Sequence, residues 1–258
     1  MTTTKLEKII LKQSKAIRTK VLPEVEDTIK TIKPDFESVK KYKTNIIKWL
    51  KPVIDLTGYN VYPRNGITEG LDWWYNKEKR GVNMRSGDYQ WIVPKDGESK
   101  IAYISLPSAK DGNIDIGPKK CPIALDLAYI GSSGKGQKID LEPDFAFYSL
   151  SKSFGVRNIR TGWIFTKDPD PKLEALTHDA KYYNYYAHEV AEKIINTYSI
   201  DYIYNRLVSE QFRICNLLNL IPSDSIWLAT SNNSKYDKFK RDNINRINLA
   251  GVMEYEKT

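Results

Sequence analysis

The chain has 258 residues, 41% of them hydrophobic, and a formal net charge of +8. That apolar content supports a sizeable core and excludes a disordered chain, and no apolar run approaches the ~20 residues of a membrane-spanning helix. Lys and Arg lie dispersed among acids, which argues against nucleic-acid binding as the main role and leaves a basic surface with room for an anionic ligand.

The first stretch, "MTTTKLEKIILKQSKAIRTK", reads as a basic amphipathic helix. Its apolar positions are scattered, unlike the continuous apolar core of a secretory signal, so the cytoplasm is the expected compartment. Residues 35–54, "DFESVKKYKTNIIKWLKPVI", carry apolar residues at helical spacing, and residues 68–79, entered by the turn "PRNG", read as a second helix. Five short apolar runs follow: "DYQWIVP", "IAYISLP", "PIALDLAYI", "FAFYSLS" and "GWIFTK". Their brevity and β-branched or aromatic content predict strands, and near-continuous apolarity predicts a mostly parallel sheet buried on both faces.

The charged break "KDPDPKLEAL" ends this region. Helical patterns over 171–198 and 200–219 follow, then strands at "SIWLAT" and "NRINLAGV". The expected organisation is an N-terminal helical segment (1–34), a large α/β domain (35–168) and a small α+β domain (169–258).

Cys121 and Cys215 lack CxxC partners, and His178 and His188 are ten residues apart, so neither a disulfide framework nor a metal site is expected. "GSSGKGQK" (131–138) imitates a phosphate loop but has Gln137 where lysine is required, and reads as a loop after the strand. The tyrosines of "KYYNYYAHE" sit at helical spacing and read as core or interface.

Four places set polar groups at strand or helix ends. "NGITEG" (65–70) offers free N–H groups and Thr68 at a helix start, an anion site or an ordinary capped turn. In "ALDLAYIG", Asp126 interrupts an apolar strand and needs a partner, structural or functional, and Tyr129 follows it. In "YSLSKSFGVRNIRTGW" (148–163), Lys152 ends a buried-looking strand, where desolvation lowers an amine's pKa and favours a nucleophile, unless it snorkels to solvent. Arg160, eight residues on, suits a phosphate, and Arg246 in "NRINLAG" suits a carboxylate or is a surface arginine.

Together these pieces resemble the pyridoxal-phosphate (PLP) aminotransferases of fold type I, class I/II, the aspartate aminotransferase superfamily. "SLSKSFGVRNIRTGW" is similar to that family's S-x-S-K-x-F-G-x-x-N-x-R-x-G signature. "DLAY" resembles its cofactor-ring motif, "NGITEG" its phosphate-cup loop, "GDYQW" its ring-stacking stretch and "NRINLAG" its carboxylate-binding segment.

The resemblance implies a three-layer α/β sandwich with a mostly parallel sheet and an abbreviated small domain. It implies that Lys152 forms a Schiff base with the aldehyde of pyridoxal 5′-phosphate and moves a proton between the substrate α-carbon and the cofactor. It implies that Asp126 pairs with the pyridine nitrogen, Tyr129 bonds the phenolic oxygen and Tyr89 stacks on the ring. By the same resemblance Gly66, Ile67, Thr68, Ser149 and Arg160 hold the phosphate, and Arg246 orients the substrate carboxylate.

The implied activity transfers an amino group between an amino acid and a 2-oxo acid, in a homodimer with the site at its interface. A PLP-dependent lyase or decarboxylase, or a non-catalytic descendant, is the alternative. The chain departs from the family in one turn: "LPSAKDG" (106–112) replaces an asparagine-rich segment, with Ser108 as the candidate stand-in. It is also far shorter than usual members.

Overall fold

In the computed structural model the described residues are 1–33, 42–116, 121–134 and 138–254. The apolar runs build a sheet from β1 (Asn60–Arg64), β2 (Gly81–Met84), β3 (Lys100–Ser105), β4 (Ile123–Asp126), β5 (Phe145–Tyr148) and β6 (Gly162–Thr166). Their spatial order is β1-β6-β5-β4-β3-β2. β2, β3, β4 and β5 pair in parallel, while β6 runs antiparallel to both β5 and β1.

Alternation along the strands buries both faces. Ala146 and Tyr148 of β5 and Trp163 and Phe165 of β6 face one core, with α3 (Tyr42–Leu50), α7 (Tyr185–Thr197) and α8 (Tyr202–Leu218). Phe147 and Ile164, between them, face a second core with Leu71 and Trp74 of α4 (Ile67–Lys77). This period of two, apolar on both sides, is what a helix-covered sheet requires. The first core also takes in Leu6 and Ile10 of α1 (Thr3–Lys12) and Val25 and Ile29 of α2 (Pro23–Lys30). A second sheet, β7 (Ile221–Pro222), β8 (Leu228–Ser231), β9 (Lys240–Arg241) and β10 (Ile244–Asn248), has the order β7-β8-β10-β9 and is antiparallel.

Several expectations need correction. Residues 13–20 leave the helix after Lys12 and run without regular structure. The helix expected over 35–54 covers Tyr42–Leu50, and the start of its expected span lies outside the described residues. "DYQWIVP" is not a strand: it turns, with Asp88 N–H bonded to Arg85 O and Ile92 N–H to Tyr89 O. Its aromatics pack instead at the rim of a cavity described below. β1 and β2 were not anticipated. β1 contains Pro63, which lacks a ladder donor and is tolerated because β1 is an edge strand. The helix expected over 171–198 is broken: α6 (Pro171–Glu174) passes into a π-helical turn to Asp179, and α7 begins at Tyr185 behind an Asn184 cap. Part of the loop "GSSGKGQK" lies outside the described residues.

Candidate active site

The parallel strands β3 and β4 end at the same level, Ser105 opposite Asp126. Their carboxyl ends, the end of β5 and the N-terminus of α4 surround a cavity of about 560 Å³. Such a crevice beyond the carboxyl ends of parallel strands is where open α/β sheets bind ligands.

Ile67, Thr68, Tyr89, Asp126, Tyr129, Ser149, Lys152, Arg160 and Arg246 all line this cavity. Gly66, the N-cap of α4 at φ 87°, lies directly behind it against Arg160. The cavity wall carries two lysines (Lys15, Lys152) and five arginines (18, 157, 160, 241, 246), against Asp126 as its one carboxylate among the described residues. It is built for anions.

Asp126 closes β4 and is 3% exposed. Its Oδ2 accepts the Tyr103 hydroxyl at 2.6 Å and its Oδ1 accepts the Ala128 N–H at 2.8 Å. Burial pushes its carboxyl up to about 6, although both bonds favour the charged form. Asp88, also buried, accepts from the Ser105 hydroxyl and from the Tyr89 N–H at 2.7 Å. Neither Tyr103 nor Asp88 was singled out in the sequence. Tyr103 had only its place in an apolar strand, and its role depends on pairing with β4.

Lys152 sits on α5 (Leu150–Ser153), a single turn leaving β5. Burial, then the nearby Arg246, pull its amine down to about 8. Its Nζ donates to the Ile17 carbonyl at 2.6 Å and lies 6.0 Å from the Tyr129 ring centre.

Behind the Arg160 side of the cavity two backbones approach closely. A Cβ on Gly162 would meet the Gly66 backbone at 2.6 Å, and a Cβ on Gly66 would meet Arg160 Nη2 at 2.7 Å. Arg160 itself has φ 64°, a costly conformation for a non-glycine residue, and donates to Asn65 O at 3.0 Å. The Ser151 hydroxyl, on the cavity wall, is buried without a hydrogen-bond partner. It was missed in the sequence, though it is the second serine of "SLSK".

Also on the cavity wall, Arg246 donates from Nη1 to Ala109 O at 2.7 Å and from Nη2 to Lys15 O at 2.6 Å. Arg241, which the sequence did not single out, donates to Asp88 O at 3.1 Å and is pulled down to about 10 by burial and by Arg246. Ser108 is a correction. It is buried, its hydroxyl accepts the Lys110 N–H at 3.1 Å, and it is not part of the cavity wall.

No protein-family model matches the sequence. No curated protein matches it either. Solved structures do match. A PLP-bound C-S lyase from Staphylococcus hominis has a TM-score of 0.66 at 12% identity, covering 92% of this chain and 86% of that one. The histidinol-phosphate aminotransferase of Clostridium acetobutylicum has a TM-score of 0.59 at 16% identity, covering 91% and 92%. That of Sinorhizobium meliloti, in complex with pyridoxal-5′-phosphate, has a TM-score of 0.63 at 14% identity, covering 96% and 89%. The chain has the fold of the type I PLP-dependent transferases.

Proposed function

We propose that this chain is a PLP-dependent aminotransferase that moves an amino group between an amino acid and a 2-oxo acid. The observation that carries the reading is one cavity lined by a depressed lysine amine, a buried carboxylate, Arg160 backed by Gly66, and Arg246.

The residues fit the cofactor. The orphaned Ser151 hydroxyl, the Gly66–Gly162 approach and Arg160 form a cradle for its phosphate, with Ile67, Thr68 and Ser149 completing the wall. By this reading Asp126 pairs with the ring nitrogen, Tyr129 bonds the phenolic oxygen and Tyr89 stacks on the ring, and all three line the cavity. When bound, the cofactor supplies an electrophilic aldehyde and a ring that takes up the electrons released at a substrate α-carbon.

This chain's own groups do the rest. Asp126, kept dry at the end of β4, holds a proton at the ring nitrogen. Lys152 removes and returns the proton at the α-carbon, a task for which an amine pKa of about 8 suits neutral pH. Arg246, on the cavity wall, orients the substrate carboxylate. The reading includes a homodimer. Trp91, 56% exposed at the cavity rim, is the surface on which a second copy would close the site.

The test mixes the protein with PLP and amino acids and follows the absorption spectrum. Conversion to the pyridoxamine form, reversed by 2-oxoglutarate and lost in Lys152→Ala, is expected. Release of an elimination product without that form overturns transamination in favour of a lyase. A colourless protein overturns both.

A further inference from the structure

Between α1 and α2 runs the segment 13–20, of which Lys15, Ala16, Ile17 and Arg18 line the cavity. Both ends are fixed by packing. The Gln13 side chain fills the place of a Cβ on Gly251, 2.8 Å away, and a Cβ on Gly155 would meet the Lys20 carbonyl at 2.2 Å. Ile17 and Thr19 are buried, at 4% and 3% exposure, and the Thr19 hydroxyl donates to Ser151 O at 3.0 Å.

The middle of the segment is held differently. Three successive carbonyls each accept one side-chain donor, two of them from the cavity wall. Lys15 O accepts Arg246 at 2.6 Å, Ala16 O accepts Asn248 at 3.1 Å and Ile17 O accepts Lys152 at 2.6 Å. Two of those three donors are the groups to which the functional reading gives substrate and cofactor.

We propose that residues 13–20 are an autoinhibitory strap, whose Lys15 and Ile17 carbonyls occupy Arg246 and Lys152 until a carboxylate and the cofactor take their places. This inference rests on the functional reading. The strap's oxygens are neutral, and a carboxylate makes a charge-assisted bond to a guanidinium that is about twice as strong, so a small carboxylate displaces Lys15 O. Lys152 cannot stay aimed at Ile17 O and serve a ligand in the cavity. Ile17 stays packed in the core, and the exposed stretch 14–16, held by the Arg246 and Asn248 bonds, bows outward without detaching. Arg18, exposed on the strap, lines the cavity and draws an incoming anion toward it.

Limited trypsin digestion of the full chain, with and without PLP and succinate, tests this, because Lys15 lies on the exposed part of the strap. Cleavage after Lys15 should be at least about fivefold faster with both present, as expected when bonds of this worth are lost. Thr19→Val and Asn248→Ala each remove one strap bond and should bind PLP plus succinate about fivefold more tightly. Slower or unchanged cleavage there, or no tightening in either variant, overturns the strap. If PLP leaves no spectral trace, the functional reading fails. Succinate alone then decides: faster cleavage supports the strap, and unchanged cleavage overturns it.

Discussion

The Tyr103 hydroxyl donates to Asp126 Oδ2 at 2.6 Å, and both side chains are buried. Tyr103 stands two residues before the end of β3, and parallel pairing with β4 brings it to the carboxylate. A hydrogen bond to a charged group is worth about 1.5–3 kcal/mol. Tyr103→Phe should lose that much stability, seen in urea denaturation, and should weaken PLP binding roughly tenfold in a spectral titration. Unchanged affinity would show that Asp126 is held without Tyr103.

Asp126 gives cofactor-free stability a pH dependence. Its folded-state pKa is raised to about 6 from 3.8, so the folded chain holds the proton more tightly than the unfolded one. The contribution is fully present below pH 3.8 and is lost as pH rises through about 6. Asp88, raised by burial, acts in the same direction. Denaturation midpoints of Asp126→Asn between pH 4 and 7 should fall less steeply than those of the parent.

Lys152 sets the pH dependence of cofactor capture. With an amine pKa of about 8, the neutral fraction rises about tenfold from pH 7 to pH 9 and then levels off. Stopped-flow absorbance after adding PLP should follow that curve. A rate still climbing at pH 10 would mean an ordinary, solvated lysine.

Gly66 and Gly162 should be intolerant of a methyl group. In Gly162→Ala the new carbon meets the Gly66 backbone at 2.6 Å, which rigid atoms cannot relieve. A loss of about 2 kcal/mol or more is expected by thermal or chemical denaturation. Gly66→Ala presses on the movable Arg160 side chain and also strains φ 87°, so cofactor affinity should fall together with stability.

Arg246→Gln should raise KM for amino donors about 30-fold, the cost of one charge-assisted bond, and leave the spectrum of the PLP-bound protein unchanged. A spectral change would place Arg246 against the cofactor.

The stretch from Ser149 to Gly162 was legible because one turn and one strand start carry its whole pattern in consecutive residues. β3 to β6 were legible because burial on both faces makes them uniformly apolar. β1 was hidden: Pro63 reads as a breaker, and the strand exists only by pairing with β6, with Pro63 opposite Trp163. The strap was hidden for a similar reason. Its basic, amphipathic composition favours helix, and its actual path is set by donors at 152, 246 and 248, far along the chain. The break before α7 depends on the Asn184 side chain accepting the Ala187 N–H, a cap lost among the tyrosines of the pattern.

The pairing of Arg64 with Gly162 joins two segments almost a hundred residues apart, and the anion cradle lies just beyond that pair. An anion seated there touches both ends of a long chain loop at once. It therefore works as a reversible cross-link, absent from any state in which the edge strand has come away. Ligand at a hundred times its dissociation constant would add about 2.7 kcal/mol to the folded state. β1, one of the sheet's two edge strands, is then tied down at its Arg64 end whenever the cradle is filled.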